Sequence, residues 1–201
     1  SIKKNDKLID VVVVPTKFGN TIVLDRKTGN NIFEYTNIKV PLSNIPGEKT
    51  SYYQKIFSLP EPFTNLFFEE SHITDLSKKS YDIVKEKIKD ASYGVFVPNS
   101  IKKKNIIYKG GAQWMGASID NDNSIMYLTS NDIPFMIWLE KNDTLDYYEY
   151  SFNTEFLVDH LGYPGSKPPW GRLSSIDLST GKKIWEVPFG EYEELSKEGI
   201  P

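Results

Sequence analysis

Few side chains in this sequence combine a reactive type with a telling setting. Lys17 is the clearest. It sits between Pro15 and Gly19, with the apolar runs Val11–Val14 and Thr21–Leu24 on either side. A permanent cation thus interrupts sequence that otherwise reads as half-buried strand; a lysine snorkelling to the surface at a strand end is the plain alternative. A second candidate is Gly110-Gly-Ala-Gln-Trp114, where Gln113 and Trp114 follow two glycines. The remaining candidates are weak. His72 and His160 are the only histidines and share no metal-ligand spacing, so both read as satisfied or exposed. Glu69-Glu70 and the acidic run from Glu191 to Glu194 read as solvated surface. With no cysteine there is no thiol nucleophile, no Cys-ligated zinc and no disulfide framework.

The elements that must position Lys17 are short strands. Val11–Val14, Thr21–Leu24 and Asn31–Tyr35 are β-branched or aromatic runs separated by Pro15–Asn20 and by the turn Asp25-Arg-Lys-Thr-Gly29, which predicts a three-stranded meander. Thr36–Pro62 is broken by Pro41, Pro46, Gly47 and Pro60, and reads as an irregular excursion held down by Tyr52, Tyr53, Phe57 and Phe63. Helical spacing of Leu76, Tyr81, Val84, Ile88 and Ala91 predicts one helix near 75–91, with Asp75 or Ser77 as its cap. Strands are expected at Tyr93–Pro98, Asn105–Tyr108, Ile125–Thr129 and Ile133–Leu139. A second excursion, Lys141–Pro169, precedes a last strand, turn and strand over Trp170–Gly190. The chain length suffices for a substantial core. Aromatic residues make up 13% of it, which favours pleated structure. A net charge of -3 gives no basic face for nucleic acid, and no apolar run approaches the ~20 residues a membrane helix needs. The N-terminus lacks the apolar core of a signal peptide, and the chain is expected to begin inside a longer natural sequence.

One pattern occurs twice. Leu24-Asp-Arg-Lys-Thr-Gly-Asn-Asn-Ile-Phe-Glu-Tyr35 aligns without a gap on Ile176-Asp-Leu-Ser-Thr-Gly-Lys-Lys-Ile-Trp-Glu-Val187. A strand ends at Asp, Thr-Gly makes a tight turn, and the next strand offers a large ring to a neighbour. Two hairpins that merely share turn chemistry are the alternative; a repeat of this kind otherwise marks an array of small sheets. The pattern resembles the blade motif of the quinoprotein β-propellers, the dehydrogenases that use pyrroloquinoline quinone (PQQ). Pro15-Thr-Lys-Phe-Gly-Asn20 resembles that family's cofactor-contacting lysine segment. Gly110-Gly-Ala-Gln-Trp114 resembles its Gly-Gly-x-Asn-Trp segment, and Pro168-Pro-Trp-Gly171 before the last hairpin is also typical. The membrane-associated glucose dehydrogenase branch and its relatives are the nearest match.

The resemblance implies an all-β fold: a partial propeller of about one and a half four-stranded antiparallel blades, with long insertions and one helix. It implies one partial domain over 1–201, with blade strands in 8–36, an insertion over 37–108, and a blade over 110–190 carrying an insertion at 131–169. The four blade strands would be Trp114–Asp120, Ile125–Ser130, Trp170–Asp177 and Lys183–Phe189, with Trp138, Trp170 and Trp185 packing blades. The implied cofactor is PQQ, bound by Lys17, Gln113 and Trp114. Lys17 would stabilise charge on the quinone carbonyl, Gln113 would stand in for the usual Asn, and Trp114 would pack under the cofactor rim or in the core. Ca²⁺ or Mg²⁺ is implied as well, with ligands outside this chain. The family's catalytic Asp has no counterpart before Val11, and Asp10 has the wrong neighbours, so the chain alone is expected to be inactive. Implied partners are a small sugar or alcohol, the remaining blades from the same or another chain, and a quinone or cytochrome electron acceptor. The implied location is the periplasm, with membrane association through parts outside this chain. A non-catalytic propeller or interaction module and a degenerate remnant of such an enzyme are the competing functions; a scaffold would need the Thr-Gly/Trp repeat but not the Lys17 and Gln113-Trp114 segments.

Overall fold

The computed structural model describes residues 1–142 and 149–201, so residues 143–148 of the second excursion lie outside the described residues. Two hairpins open the chain. β1 (Ile2–Lys4) and β2 (Lys7–Ile9) are joined by Asn5 and Asp6, both at positive φ, as a two-residue hairpin turn requires. β3 (Val11–Pro15) pairs antiparallel with β4 (Thr21–Asp25), Val11 opposite Asp25 and Pro15 opposite Thr21. Thr21 and Val23 face inward while Val12 and Val14 stay exposed, the alternation of a strand with one covered face.

The third strand of the expected meander does not form. Asn31 makes one bridge to Leu24 and the Ile32 N–H bonds the Val23 carbonyl, but there the ladder stops. Phe33 instead turns into the core, with the Lys4 ammonium 3.9 Å over its ring. Ring burial wins over continued pairing. The stretch read as irregular carries a regular hairpin, β5 (Tyr35–Lys39) with β6 (Tyr53–Phe57). Pro41, Pro46 and Gly47 all fall in the connection between those strands, where they break nothing. Phe57 and Phe63 are buried as expected; Tyr52 and Tyr53 are exposed and hold nothing down.

Helix α1 (Lys78–Ile88) is shorter than 75–91 at both ends. Ser77 caps it, its Oγ accepting the Ser80 N–H at 3.0 Å. Ser77 itself is extended, at φ -157° and ψ 160°, so the helix starts only after it. β7 (Ser92–Tyr93) runs parallel to β8 (Asn105–Tyr108) and ends where Gly94 and Phe96 take positive φ, so the strand expected through Pro98 is cut short.

The remaining strands are β9 (Gly111–Ala112), β10 (Ser118–Asp120), β11 (Ile125–Asn131), β12 (Pro134–Lys141), β13 (Tyr150–Phe156), β14 (Gly171–Asp177) and β15 (Lys183–Pro188). They sort into two sheets. In the first, β10, β11, β14 and β15 pair in that order, all antiparallel, and β9 joins the end of β11. This is the four-stranded unit expected of a blade, and the fold is that of a partial propeller. In the second, the order is β13-β12-β8-β7. Trp138 lies on β12 in this second sheet, with its Nε1 donating to Glu140, so it packs no blade; a tryptophan within an apolar strand does not declare which sheet it serves. Trp170 is buried, and its Nε1 donates to the Ser166 carbonyl at 2.8 Å.

Each sheet has its own core. Ile2, Val23, Phe33, Phe63, Met126 and Ile176 close the first against the opening hairpins. Phe68, Ile73, Val84, Ile88, Ile106 and Leu157 pack α1 on the second. A buried carboxylate joins the two. Asp132, between β11 and β12 and 1% exposed, accepts from the Asn65 backbone N–H at 3.2 Å, from Asn65 Nδ2 at 2.8 Å and from the Arg172 guanidinium of β14. Unpaired, it would be strongly destabilising there.

Candidate functional site

Lys17 sits at the tip of the β3–β4 hairpin in a turn fixed by its own residues. The Thr16 N–H bonds the Asn20 carbonyl at 2.9 Å, Thr16 Oγ1 lies 2.6 Å from Asn20 Oδ1, and the Phe18 N–H reaches Thr16 Oγ1. Gly19, at φ +100°, leaves no room for a Cβ, which would overlap Thr64 Oγ1 at 2.0 Å. The Phe63 N–H closes on the Gly19 carbonyl from the far side. The tip is therefore braced by the Phe63–Thr64 segment. Lys17 itself is exposed and has no ion-pair partner among the described residues.

The second sequence candidate meets the first through the backbone. Gly111, at φ +58°, lies so close to Lys17 that a Cβ would fall 2.4 Å from the Lys17 carbonyl oxygen and 2.9 Å from its Cα. The Ala112 N–H donates to the Thr16 carbonyl at 3.3 Å. Only glycine fits that approach, which is the physical reason for the paired glycines. Beyond it the chain bulges: the Gln113 N–H bonds the Thr129 carbonyl, and the Gly116 N–H bonds the Gln113 carbonyl. Trp114, at the crest of that bulge, is 86% exposed. It is no core residue. The backbones of the Lys17 turn and of the Gly111–Ala112 segment, far apart in sequence, thus pack into one rim, along which Lys17 and Trp114 are exposed and Gln113 is half-buried.

Other candidates separate from this rim. Asp10 accepts from Ser1 Oγ at 2.6 Å and from Arg26 at 3.2 Å, and those partners, Ser1 first, hold its carboxyl below the usual range. It is poorly suited to take a proton at neutral pH. His160 is exposed. His72 is neither exposed nor satisfied: its Nδ1 is buried without a partner, against the rings of Phe68 and Tyr108. Burial pushes its pKa down and pushes that of the Tyr108 phenol up. Sequence reasoning missed Asp132 altogether, although a lone acid between two apolar strands is a signal of the same kind as Lys17. Burial raises the Asp132 carboxyl, and Arg172 opposes that.

Comparison with known proteins gives this rim a context. A family model, the glucose/ethanol/alcohol dehydrogenase β-propeller domain that is named for PQQ, matches residues 1–201. The chain belongs to this family. The chain is similar to the glycerol dehydrogenase large subunit of Gluconobacter thailandicus, 26% identical over 227 residues that cover 96% of this chain and 30% of that protein. The quinate/shikimate dehydrogenase (quinone) of Acinetobacter baylyi is 25% identical over 216 residues, covering 94% of this chain and 26% of the relative. The quinoprotein glucose dehydrogenase of Gluconobacter oxydans is 25% identical over 221 residues, covering 92% and 26%. The chain therefore spans less than a third of the length of these relatives.

The rim fits part of such a cofactor. A flat, oxygen-rich heterocycle suits an exposed indole face, and its carbonyl and carboxylate oxygens suit an unpaired ammonium and an amide. Among the described residues, no group of three or more His, Asp or Glu side chains converges to hold a metal ion. No helix among the described residues is long and apolar enough to cross a membrane.

Proposed function

We propose that this chain is the part of a PQQ-dependent dehydrogenase that presents Lys17, Gln113 and Trp114 to the cofactor, in an enzyme that oxidises a sugar or alcohol by hydride transfer. The observation that supports this reading is the backbone contact of Gly111 with Lys17, which packs the start of the Gly110–Trp114 segment on the Lys17 turn. PQQ, when bound, supplies the ortho-quinone that accepts the hydride. Lys17 donates a hydrogen bond to an oxygen that gains negative charge during the reaction, so its interaction is stronger in the transition state than before it. Gln113 offers a donor and an acceptor one methylene further out than the Asn common in the family. Trp114 covers an aromatic face.

The carboxylate base and the Ca²⁺ or Mg²⁺ ligands belong, in this reading, to blades outside this chain. Residues 1–201 then form one partial propeller domain, its blades interrupted by insertions at 37–108 and 131–169. The complete protein works in the periplasm and passes electrons to a quinone or cytochrome. Steady-state kinetics with PQQ titration on the chain completed with its missing blades tests the role of Lys17. Lys17→Ala should lower kcat by about 10²–10³-fold while PQQ affinity changes far less, and Lys17→Arg should recover part of the rate. An unchanged kcat in Lys17→Ala would make this a surface lysine. The isolated chain, given PQQ, Ca²⁺, an aldose or alcohol and a dye acceptor, should show no turnover, since general-base catalysis alone is worth ~10²–10⁴-fold.

A further inference from the structure

Lys17 has no ion-pair partner among the described residues, so its ammonium is placed by the backbone that carries it. Thr16 and Asn20 close that turn from within, and Gly111 backs it through the main chain. Phe18, the next residue after Lys17, ties the turn to a different part of the molecule. Its ring stacks on Phe96, with centroids 4.5 Å apart and planes within 10°. Phe96 belongs to the segment 37–108 proposed above as an insertion.

Phe96 is strained where it stands. Its φ is +49°, in the left-handed region that a bulky side chain rarely adopts. Glycine would take that conformation without steric cost, and the same loop already uses one at Gly94, φ +118°. Strain of this kind persists where the surroundings impose it, and it gathers at functional sites. The loop is anchored behind the ring: Asn105 of β8, 2% exposed, donates from Nδ2 to the Val97 carbonyl at 2.8 Å. Both rings are half-buried, and both line two hollows, an open cleft of about 570 Å³ and an apolar one of about 200 Å³. Neither ring is enclosed, as a ring held only for core packing would be. What the strained backbone secures is the stack on Phe18.

We propose that Phe96 is a positioning residue for Lys17: it clamps Phe18, and through Phe18 it fixes the turn from which Lys17 acts. The segment 37–108 then has a part in the site, although none of its residues is a candidate to touch the cofactor. A donor that stabilises developing charge works by being held in place beforehand. A turn that wanders therefore costs rate more than substrate affinity, and a displacement of about 1 Å can cost about 10²-fold. The link to the reaction rests on the dehydrogenase reading above; the clamp on the turn does not.

Three variants of the completed propeller separate the ring from the strain. Phe96→Gly removes the ring and relieves the backbone. Phe96→Leu removes the stack but keeps an apolar side chain in the same strained conformation, and Phe96→Tyr keeps the stack. Without PQQ, hydrogen–deuterium exchange of a peptide spanning residues 11–25 reads the turn through the Thr16, Phe18 and Gly19 N–H groups, which all bond within it. Exchange there should quicken by about 2–10-fold in the Gly and Leu variants, the range for losing one aromatic pair, and stay at the wild-type rate in Phe96→Tyr. Urea midpoints control for global unfolding; should Phe96→Gly fail to fold, Phe96→Leu decides. With PQQ, the Gly and Leu variants should lose about 10-fold in kcat, less than Lys17→Ala, with KM within about twofold, and Phe96→Tyr should keep the rate. Phe18→Leu should give the same loss, and joining it to Phe96→Leu should add little. The positioning role is overturned if the turn exchanges as in wild type in the folded Leu variant, if Phe96→Tyr loses as much as Phe96→Leu, or if the Leu variant keeps kcat while Lys17→Ala lowers it. Unchanged kcat in Lys17→Ala removes the dehydrogenase reading instead, and the clamp then stands or falls on exchange alone.

Discussion

Asp25 and Asp177 begin the same turn twice in one chain. In the first copy, Asp25 Oδ1 accepts from the Lys27 and Thr28 N–H groups at 2.9 and 2.8 Å, and the Gly29 N–H returns to the Asp25 carbonyl at 2.8 Å. In the second, Asp177 Oδ1 accepts from the Ser179 N–H at 2.7 Å, and the Gly181 N–H returns to the Asp177 carbonyl at 2.7 Å. Gly29 and Gly181 sit at φ +73° and +78°. After the turn the copies diverge. The second continues as β15, paired with β14 from Lys183 to Pro188, and leaves Trp185 40% exposed. The first abandons pairing and buries the equivalent Phe33, 6% exposed, against the second copy's own turn: a Cβ on Gly181 would stand 3.0 Å from the Phe33 ring. Turn geometry is written locally in Asp, Thr and Gly. Strand formation is not, because it depends on which surface the following ring meets.

The largest test of this contrast exchanges the two rings for alanine. Phe33→Ala removes a buried ring from the first core and should cost about 3–5 kcal/mol, whereas Trp185→Ala should cost about 1 kcal/mol or less in this chain. Urea denaturation of both variants measures this, and equal losses would break the comparison. A smaller effect separates the glycines. Gly29→Ala meets no atom within 4 Å and pays only for its backbone, about 1 kcal/mol. Gly181→Ala pays the same and also crowds Phe33 and Leu59, for about 2 kcal/mol or more in all. Chemical denaturation midpoints should therefore rank wild type, Gly29→Ala, Gly181→Ala.

The smallest effect is electrostatic. The Thr28 N–H, then the Thr28 hydroxyl, holds the Asp25 carboxyl below its ordinary value of 3.8. A depressed carboxylate stabilises the fold above its unfolded pKa and loses that contribution as pH falls through the lower folded value. Asp25→Asn does not titrate. The melting-temperature gap between wild type and Asp25→Asn should therefore be widest near neutral pH and should narrow between about pH 4 and pH 3.

Much of this molecule was legible because its signals are short-range. The Asp-x-x-Thr-Gly turns, the Ser77 cap and the four strands of the blade all follow from residues near one another or from a repeated pattern. Lys17 was legible as a cation out of place, and Gly110-Gly-Ala-Gln-Trp114 as a motif with two glycines, yet neither signal said that one packs on the other. The β5–β6 hairpin was hidden because Pro41, Pro46 and Gly47, which look like breakers of the whole stretch, occupy only the loop. Asp132 carried a signal, a lone acid between two apolar runs, but its burial and its partners Asn65 and Arg172 are properties of what the rest of the chain places around it.

The second sheet carries a consequence for descent and for engineering. Its strands β7 and β8 lie within residues 37–108 and β12 and β13 within residues 131–169, the two insertions proposed above, and β8 pairs directly with β12 along Asn105–Tyr108 and Pro134–Ile137. Neither insertion supplies all four strands of this sheet. A lineage that lost one would leave the other with a bare edge strand and half a core, an aggregation hazard rather than a smaller protein. The two must be inherited, trimmed or transplanted together, and any minimal version of this propeller segment has to be cut at both places at once.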